Sequence, residues 1–468
     1  MIARKKSQRP VKILWSIAIA AFAIFLPFAR PLLAITPVPV ETWQVVGIDV
    51  LGEKRTDPSW VESYLGFVFP ATLTDADIAA VRAKLMTTDV FQRVSVSVRP
   101  SAKVGEFLLV VDLHEKWTTI PVIRGAYGGG TPLTVMGVYD THSFGRLWTL
   151  GAESHKYGPS PHGFVVWAKA PRWLTGKHAV GVELWREFRR RSIYVPGDAS
   201  GSREPRELGV INTNTWMGRV QFLAPLGESV GVGATNWQAG AEAEVRREAP
   251  VVFEQGDVAE DGAETAESPP GIRIAAERST VTTLSLKGIY DNVRIEDQDM
   301  DGARVVLRSG PLIDDVGRSA HFEVQVFQFF LWSHHWNLAL HGLVGGSNSN
   351  ALQAQYFLGG FDSIRGLPDG AIYGTHAAYA NVELRKLVGA WKYAKVQTAV
   401  FVDGGGAGTN WDDVESARRL TGGGGLRIAI PQVYRLMFRV DYAWSLDGRG
   451  GQGFSAGLNQ FFQPYKPL

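Results

Sequence analysis

Cysteine is absent from the 468 residues, which excludes disulfides, thiol nucleophiles and thiolate metal sites. Long apolar runs are nearly absent too. Ile13–Leu26 is the longest, and beyond it no stretch approaches the roughly 20 apolar residues a membrane helix needs. Any further membrane crossing must therefore be made of strands. Charge is scarce and almost balanced, with 48 basic and 46 acidic residues. The excess is an N-terminal effect: Arg4, Lys5, Lys6, Arg9, Lys12 and Arg30 lie within the first 34 residues, and without these six, 42 basic residues face 46 acidic ones. Charge thus gives no case for a nucleic-acid partner. Glycine (52) and tryptophan (15), by contrast, are plentiful, as suits a barrel with tight internal contacts and interfacial aromatics.

Residues 1–34 have the layout of a secretory signal peptide. A basic start precedes the apolar run, then Pro27 and Pro31 come before Ala34. Residues 43–116 read as a small α/β module. Val45–Val50 is a candidate strand, and Asp57-Pro58 is an N-cap followed by proline at the first helical position. Trp60, Val61, Tyr64 and Leu65 fall at helical spacing. Thr74-x-x-Asp77 is a capping box before a second helix with Ile78, Val81 and Leu85 on one face. Val94, Val96 and Val98 alternate with Ser95, Ser97 and Arg99, and Phe107–Leu113 is largely apolar. The expected order is β-α-α-β-β.

From residue 117 to 462 the pattern becomes sixteen candidate strands of about ten residues, the length of a tilted membrane strand. Their centres lie near Ile123, Met136, Ala152, Val166, Val182, Val220, Ala234, Leu286, Val305, Val326, Leu340, Val382, Val400, Ile428, Phe438 and Ala456. The clearest alternation sets Tyr434, Leu436, Phe438, Val440 and Tyr442 against Arg435, Arg439 and Asp441. Even-numbered strands are followed mostly by short turns, such as Pro225-Leu226-Gly227 and Leu331–His335. Odd-numbered strands are followed by longer loops, among them Arg189–Asn214, the acidic Glu248–Ala276 and Gly345–Thr375. This asymmetry predicts an all-β, sixteen-stranded transmembrane barrel with the α/β module on the short-turn side; residues 463–468 form a short tail. A water-soluble sandwich or propeller fits less well, since no blade-like period appears.

The stretch Phe357–Gly405 organises this half of the chain. A glycine-rich loop carries Ile364-Arg365-Gly366-Leu367. In the segment that follows, Ala378, Ala380, Val382 and Leu384 alternate with Tyr379, Asn381, Glu383 and Arg385. In the next, Val396, Val400 and Val402 oppose Lys395, Gln397 and Asp403. One apolar and one polar face is the signature of a strand between lipid and a polar lumen.

These residues resemble the outer-membrane-protein assembly superfamily, which includes the barrel subunit of the BAM complex, the TAM barrel, two-partner secretion transporters and the mitochondrial sorting-and-assembly barrel. The [IV]-R-G-[FY] loop motif corresponds to Ile364-Arg365-Gly366-Leu367, with leucine in place of the usual aromatic. The glutamate-bearing strand corresponds to Asn381-Val382-Glu383-Leu384-Arg385, and F-x-D-x-G to Phe401-Val402-Asp403-Gly404-Gly405. The module ahead resembles a polypeptide-transport-associated (POTRA) repeat through Gly47-Ile48, Leu85-x-x-x-x-Val90-Phe91, Val94 and Leu113-His114-Glu115. Phe454–Phe462 resembles the C-terminal signal by which such barrels are inserted.

The resemblance implies a barrel in the outer membrane with the POTRA-like module in the periplasm. Arg365 would fold into the lumen against Asp403 and Glu383, near Phe401 and Gly405. It further implies unfolded outer-membrane or secreted polypeptides as clients, the outer-membrane bilayer as surroundings, and a periplasmic accessory protein as a possible partner. Insertion of outer-membrane proteins or translocation of polypeptides is the expected activity. A transporter for one dedicated passenger and a passive structural barrel are the alternatives.

Other chemistry is weak. Asp297-x-Asp299-x-Asp301-Gly302 begins like a calcium loop, but its twelfth position is Arg308 where a bidentate glutamate is needed. His334 and His335 are neighbours in a turn, away from His341. The runs Gly404–Gly406 and Gly422–Gly425 lack the strand-turn-helix context of a phosphate loop and mark bends or close contact with the internal loop. No catalytic constellation, metal site or cofactor is expected, and the reading is not of an enzyme.

Overall fold

The computed structural model describes residues 42–460 except 87, 89, 127–131, 174–177, 195–206, 228–235, 256–270, 275–276, 297, 334, 361–362, 434–435, 450 and 459. The expected signal peptide, the tail and residues Asp297, His334, Tyr434, Arg435, Phe461 and Phe462 lie outside this set.

The N-terminal part builds a four-stranded sheet under two helices. Its elements are β1 (Thr42–Leu51), α1 (Pro58–Leu65), β2 (Ala71–Thr74), α2 (Asp75–Met86), β3 (Phe91–Pro100) and β4 (Phe107–Glu115), with sheet order β2-β1-β4-β3. Strand β1 runs parallel to β4, while β3 and β4 form an antiparallel hairpin. Asp57 caps α1 by accepting from the Ser59 amide at 2.9 Å, and Gly66 ends the helix in the left-handed region at φ 72°. Thr74 and Asp77 bond reciprocally at the start of α2, as the capping box requires. Trp60, Val61 and Leu65 of α1 and Val81 and Leu85 of α2 are buried against Phe91, Val94, Leu109 and Leu113. The order departs from β-α-α-β-β by β2, whose Thr42–Val45 partners lie on β1. In Ala71-Thr-Leu-Thr only Leu73 is buried, and four residues are too few for a period of two to stand out.

The rest of the chain closes into a barrel of sixteen long strands. In chain order these begin with β5 (Thr119–Ala126), β6 (Leu133–Ser143), β7 (Trp148–Tyr157), β8 (Gly163–Trp173), β9 (His178–Tyr194), β10 (Glu207–Pro225) and β11 (Trp237–Glu248). The short β12 (Val252–Gln255) precedes β13 (Ser279–Asp291), and the short β14 (Arg294–Glu296) precedes β15 (Asp299–Ile313). Then come β16 (Arg318–Ser333), β17 (Trp336–Ser347) and an inner pair, β18 (Tyr356–Leu358) and β19 (Ile372–Gly374). Strands β20 (His376–Ala390) and β21 (Lys395–Gly408), helix α3 (Trp411–Ser416), β22 (Arg419–Ala429), β23 (Met437–Ser445) and β24 (Gln452–Leu458) complete the ring, with β24 beside β5. Alternate residues point outward and stay open: Leu286 is 77% exposed, Ile123 68%, Phe454 61% and Val400 60%. A continuous apolar outer band of this kind has its solvent in lipid. Among the described residues no helix is long and apolar enough to cross a membrane.

Fifteen of the sixteen expected centres fall within these strands. The exception is Ala234, outside the described residues, because the seventh barrel strand is Trp237–Glu248. Its outward residues include Ala241 and Ala243, too weakly apolar to reveal the alternation. Leu226 and Gly227 of the expected turn follow β10 directly, and the residues between them and Asn236 lie outside the described set. Strands β9 and β10 run to 17 and 19 residues, taking in both ends of the expected Arg189–Asn214 loop. The asymmetry of short turns and long loops holds only in part: on the expected long-loop side the connections 158–162 and 314–317 have five and four residues.

The N-terminal sheet stands at the short-turn end, docked on the β6–β7 turn. The Asp57 amide donates to Gly145 O at 3.1 Å, and Arg146 pairs with the Asp57 carboxylate at 2.7 Å. The buried His142 ring sits edge-on to Trp60 and Phe91. Glu115, at the end of β4, accepts from the Thr56 hydroxyl at 2.6 Å and its amide at 2.7 Å, and from the amides of Arg55 and Lys54. Burial by itself would raise this carboxyl's pKa. The Thr56 side chain and the amides of Arg55, Thr56 and Lys54 outweigh burial and hold it below 4.5.

Candidate functional site

After β17 the chain turns back into the barrel, and β18 and β19 pair to close a loop whose tip is Ser363–Leu367. Ile364 (0% exposed) and Leu367 (1%) pack with Leu358, Ile372, Ala377, Ala407 and Ala417, so an apolar anchor holds the tip in place. Leu367 fills its part of this core without the aromatic of the resembled motif. Gly366 is obligatory for two reasons: its φ is +85°, and a Cβ there would lie 3.0 Å from that of Ala443.

The anchor delivers Arg365, 0% exposed, onto the lumen face of β20 and β21. Its Nε donates to Asp403 Oδ2 at 2.7 Å, Nη2 to Oδ1 at 2.9 Å, and its own backbone amide to Oδ2 at 3.1 Å. Nη1 reaches Glu383 Oε2 at 2.7 Å and Asp441 Oδ2 at 3.4 Å. The guanidinium lies 3.4 Å from the centroid of the Phe401 ring. Planar stacking and a two-pronged carboxylate bond are both specific to guanidinium.

The site is larger than the pair that the motifs indicate. Glu383 also accepts from Arg385 Nε at 2.8 Å and Arg427 Nη2 at 3.1 Å. Asp441 accepts from Arg427 and Arg439, and Arg439 donates on to Ser455 Oγ of β24 at 2.8 Å. Arg427 Nε reaches Gln460 at 3.2 Å. Asn381 donates to Ser363 O at 2.6 Å and to Asp403 at 2.9 Å, tying the loop backbone to the wall. Four arginines thus surround three carboxylates, from the loop across β20 to β23. Buried charges on this scale persist only where each is paired and bonded. The arrangement is a lock that ties the loop to the barrel wall.

Of the expected site residues, Ile364, Arg365, Gly366, Leu367, Glu383, Phe401 and Asp403 meet at this point. Gly405 lies on the lumen face two residues on, beside Tyr379, and bonds none of the charged groups. Asp441 and Arg439 had a legible signal, the polar face of the clearest alternation. Arg427 did not, because Gly422–Gly425 interrupts its strand pattern. Those glycines make space: a Cβ on Gly423 would strike the Phe401 ring. His341 bonds Asn381 at 2.9 Å and Gln325 at 3.0 Å and stacks on Phe327, while Asp301 pairs with Arg294. Among the described residues no group of His, Asp and Glu could hold a metal ion.

Residues 316–462 match the Omp85 superfamily domain. Among curated proteins none matches the sequence significantly. Several solved structures share the fold. BamA from Haemophilus ducreyi lacking POTRA domains 1–3 is 14% identical, with a TM-score of 0.50 over 88% of this chain and 84% of that one. CdiB from Escherichia coli is 12% identical at a TM-score of 0.58, covering 89% and 76%; CdiB from Acinetobacter baumannii is 13% identical at 0.55, covering 89% and 74%. The matched residues hold the arginine loop, its carboxylate partners and the last barrel strands, so this part of the chain carries an Omp85 superfamily domain.

Proposed function

We propose that this protein handles unfolded polypeptides at the outer membrane, inserting outer-membrane proteins or passing a polypeptide across, with residues 43–116 in the periplasm as the receiving module. The observation that carries this reading is where the barrel closes. The ring closes by bringing its first strand, β5, beside its last, β24. A client strand needs backbone partners before it meets lipid, where each unpaired amide costs several kcal/mol. Every other neighbouring pair of long strands is consecutive in the chain, so this seam is the place where two strands can part and offer their edges without straining a connection between them. Strand β3, at the margin of the N-terminal sheet, offers an earlier edge for an extended segment.

The test is removal. Cells depleted of the protein are expected to lose one or more outer-membrane or surface proteins while their transcripts persist. Deleting 43–116 should leave a barrel that inserts and does not rescue that loss. Loss of many barrel proteins marks insertion; loss of one secreted passenger marks dedicated translocation. A membrane proteome unchanged by depletion would support a passive barrel instead.

A further inference from the structure

The Arg365 network fills one side of the lumen. The other, from β8 to β16, holds a polar chamber of roughly 620 Å³. Ion pairs furnish its walls, among them Lys169–Glu183 at 3.0 Å, Arg219–Glu183 at 2.9 Å and Lys287–Glu242 at 2.6 Å. Such a lining favours water and ions. The short-turn end of the chamber is the opposite in character. Phe327 and Val306 line the chamber and also belong to apolar clusters beneath it.

The cluster under Phe327 is built by the connection between β13 and β15. This hairpin continues past the barrel rim as β14, with Ile295 paired to Met300, and it brings Val293, Ile295 and Met300 to 2%, 4% and 3% exposure. They are buried against Phe327, Phe329 and Ala339, all on the lumen side of β16 and β17. Elsewhere on this rim the four residues 391–394 join β20 to β21, so a connection that adds the strand β14 exceeds what strand joining needs. Its other face is polar, with Arg294 and Asp301 paired in the open. The tip also reaches across the mouth. Ile295 and Met300 share a small crevice with Ile430 and Val433 of the β22–β23 turn, and Val433 bridges to Trp117 in the linker from the N-terminal sheet.

We infer that the apolar set Val293, Ile295 and Met300 on the β14–β15 hairpin is the short-turn seal of the β8–β16 chamber, and that its displacement opens a path for small hydrophilic solutes through this half of the lumen. Apolar constrictions exclude ions by excluding water. The seal is separate from the β5–β24 closure and does not depend on whether the client is inserted or secreted. Two features suit a tip that moves as a unit. Gly302 takes a φ of +103° at its base, and the buried Asn337 side chain latches it by donating to Met300 O at 2.6 Å.

The test uses the full-length protein refolded into planar lipid bilayers. Wild type is expected to rest at a closed baseline. Ile295→Asp, which puts a charge into the tip, and Phe329→Ala, which removes the wall it packs on, should each produce discrete open-channel steps. Cells carrying either variant should become sensitive to large hydrophilic antibiotics. Val316→Asp, on the exposed turn at the opposite rim, should behave as wild type. If Ile295→Asp does not fold, as judged by heat-modifiable migration on a gel, Phe329→Ala decides. Folded variants that stay closed would overturn the proposal, as would a wild type that already conducts like them.

Discussion

Replacing Arg365 tests the lumen lock most severely, and the geometry predicts an unequal pair of effects. In Arg365→Ala, Asp403 loses both guanidinium donors, at 2.7 and 2.9 Å, and keeps two neutral ones, the residue-365 backbone amide at 3.1 Å and the Asn381 side-chain amide at 2.9 Å. A wholly buried carboxylate is left without its countercharge, at a cost of about 3–5 kcal/mol. In Asp403→Ala, Arg365 retains Glu383 at 2.7 Å and Asp441 at 3.4 Å, so the stranded charge is still compensated. What is lost is chiefly an acceptor for the Arg365 amide and two charged bonds, about 1.5–3 kcal/mol each before the two remaining carboxylates compensate. Arg365→Lys should fall nearer to Arg365→Ala than to wild type, because an ammonium can neither fork onto Asp403 nor stack flat on Phe401. The double alanine variant should be little worse than Arg365→Ala, since both residues serve one contact. Heat resistance of the folded barrel on a semi-native gel ranks the series, and protease access to the loop reports its release. Fully additive losses, or Asp403→Ala more damaging than Arg365→Ala, would refute the reasoning.

A tag in the 248–276 loop should label on intact cells and one in the 331–335 turn should not; the reverse would invert the topology. Glu115 gives a pH dependence. Its folded pKa lies below the ordinary 4.5, so its stabilisation of the N-terminal docking is fully present above that value and is lost as pH falls through the folded pKa. Protease sensitivity of the linker should accordingly rise below about pH 4.5 in wild type and lose this dependence in Glu115→Gln. Leu85→Ala opens a cavity in the N-terminal core and should cost that module about 2–5 kcal/mol, read by its thermal unfolding, with the barrel's gel mobility unaffected.

The fold was legible wherever one face of a strand met a strong apolar set. Val182, Val220, Leu286 and Val400 mark outward residues that a period of two exposes at once. Where alanine supplied the outer face, as at Ala241 and Ala243, the period faded and the strand was misplaced. The extension of β9 and β10 past the membrane was not legible, since Ile193 and Ile211 are buried by packing on Ile272 and Leu352, far away in sequence. At the site, motif residues gave Arg365, Glu383 and Asp403. Arg385, Arg427 and Arg439 join them through register: Asp403 faces Asn381 across one ladder and Thr421 across the next, which lines up side chains no local spacing relates. The inward β14–β15 hairpin was hidden because Asp297, Asp299 and Asp301 dominate its composition, while Val293, Ile295 and Met300 decide where it goes.

The most direct test of polypeptide handling is photo-crosslinking in living cells from Phe454 on β24 and Ile123 on β5, both exposed on the outer face at the closure. During a short radioactive pulse, each position is expected to trap newly made polypeptide, and the adducts should vanish in the chase as the client is released. Folded protein that yields no transient adduct at either position would contradict the account.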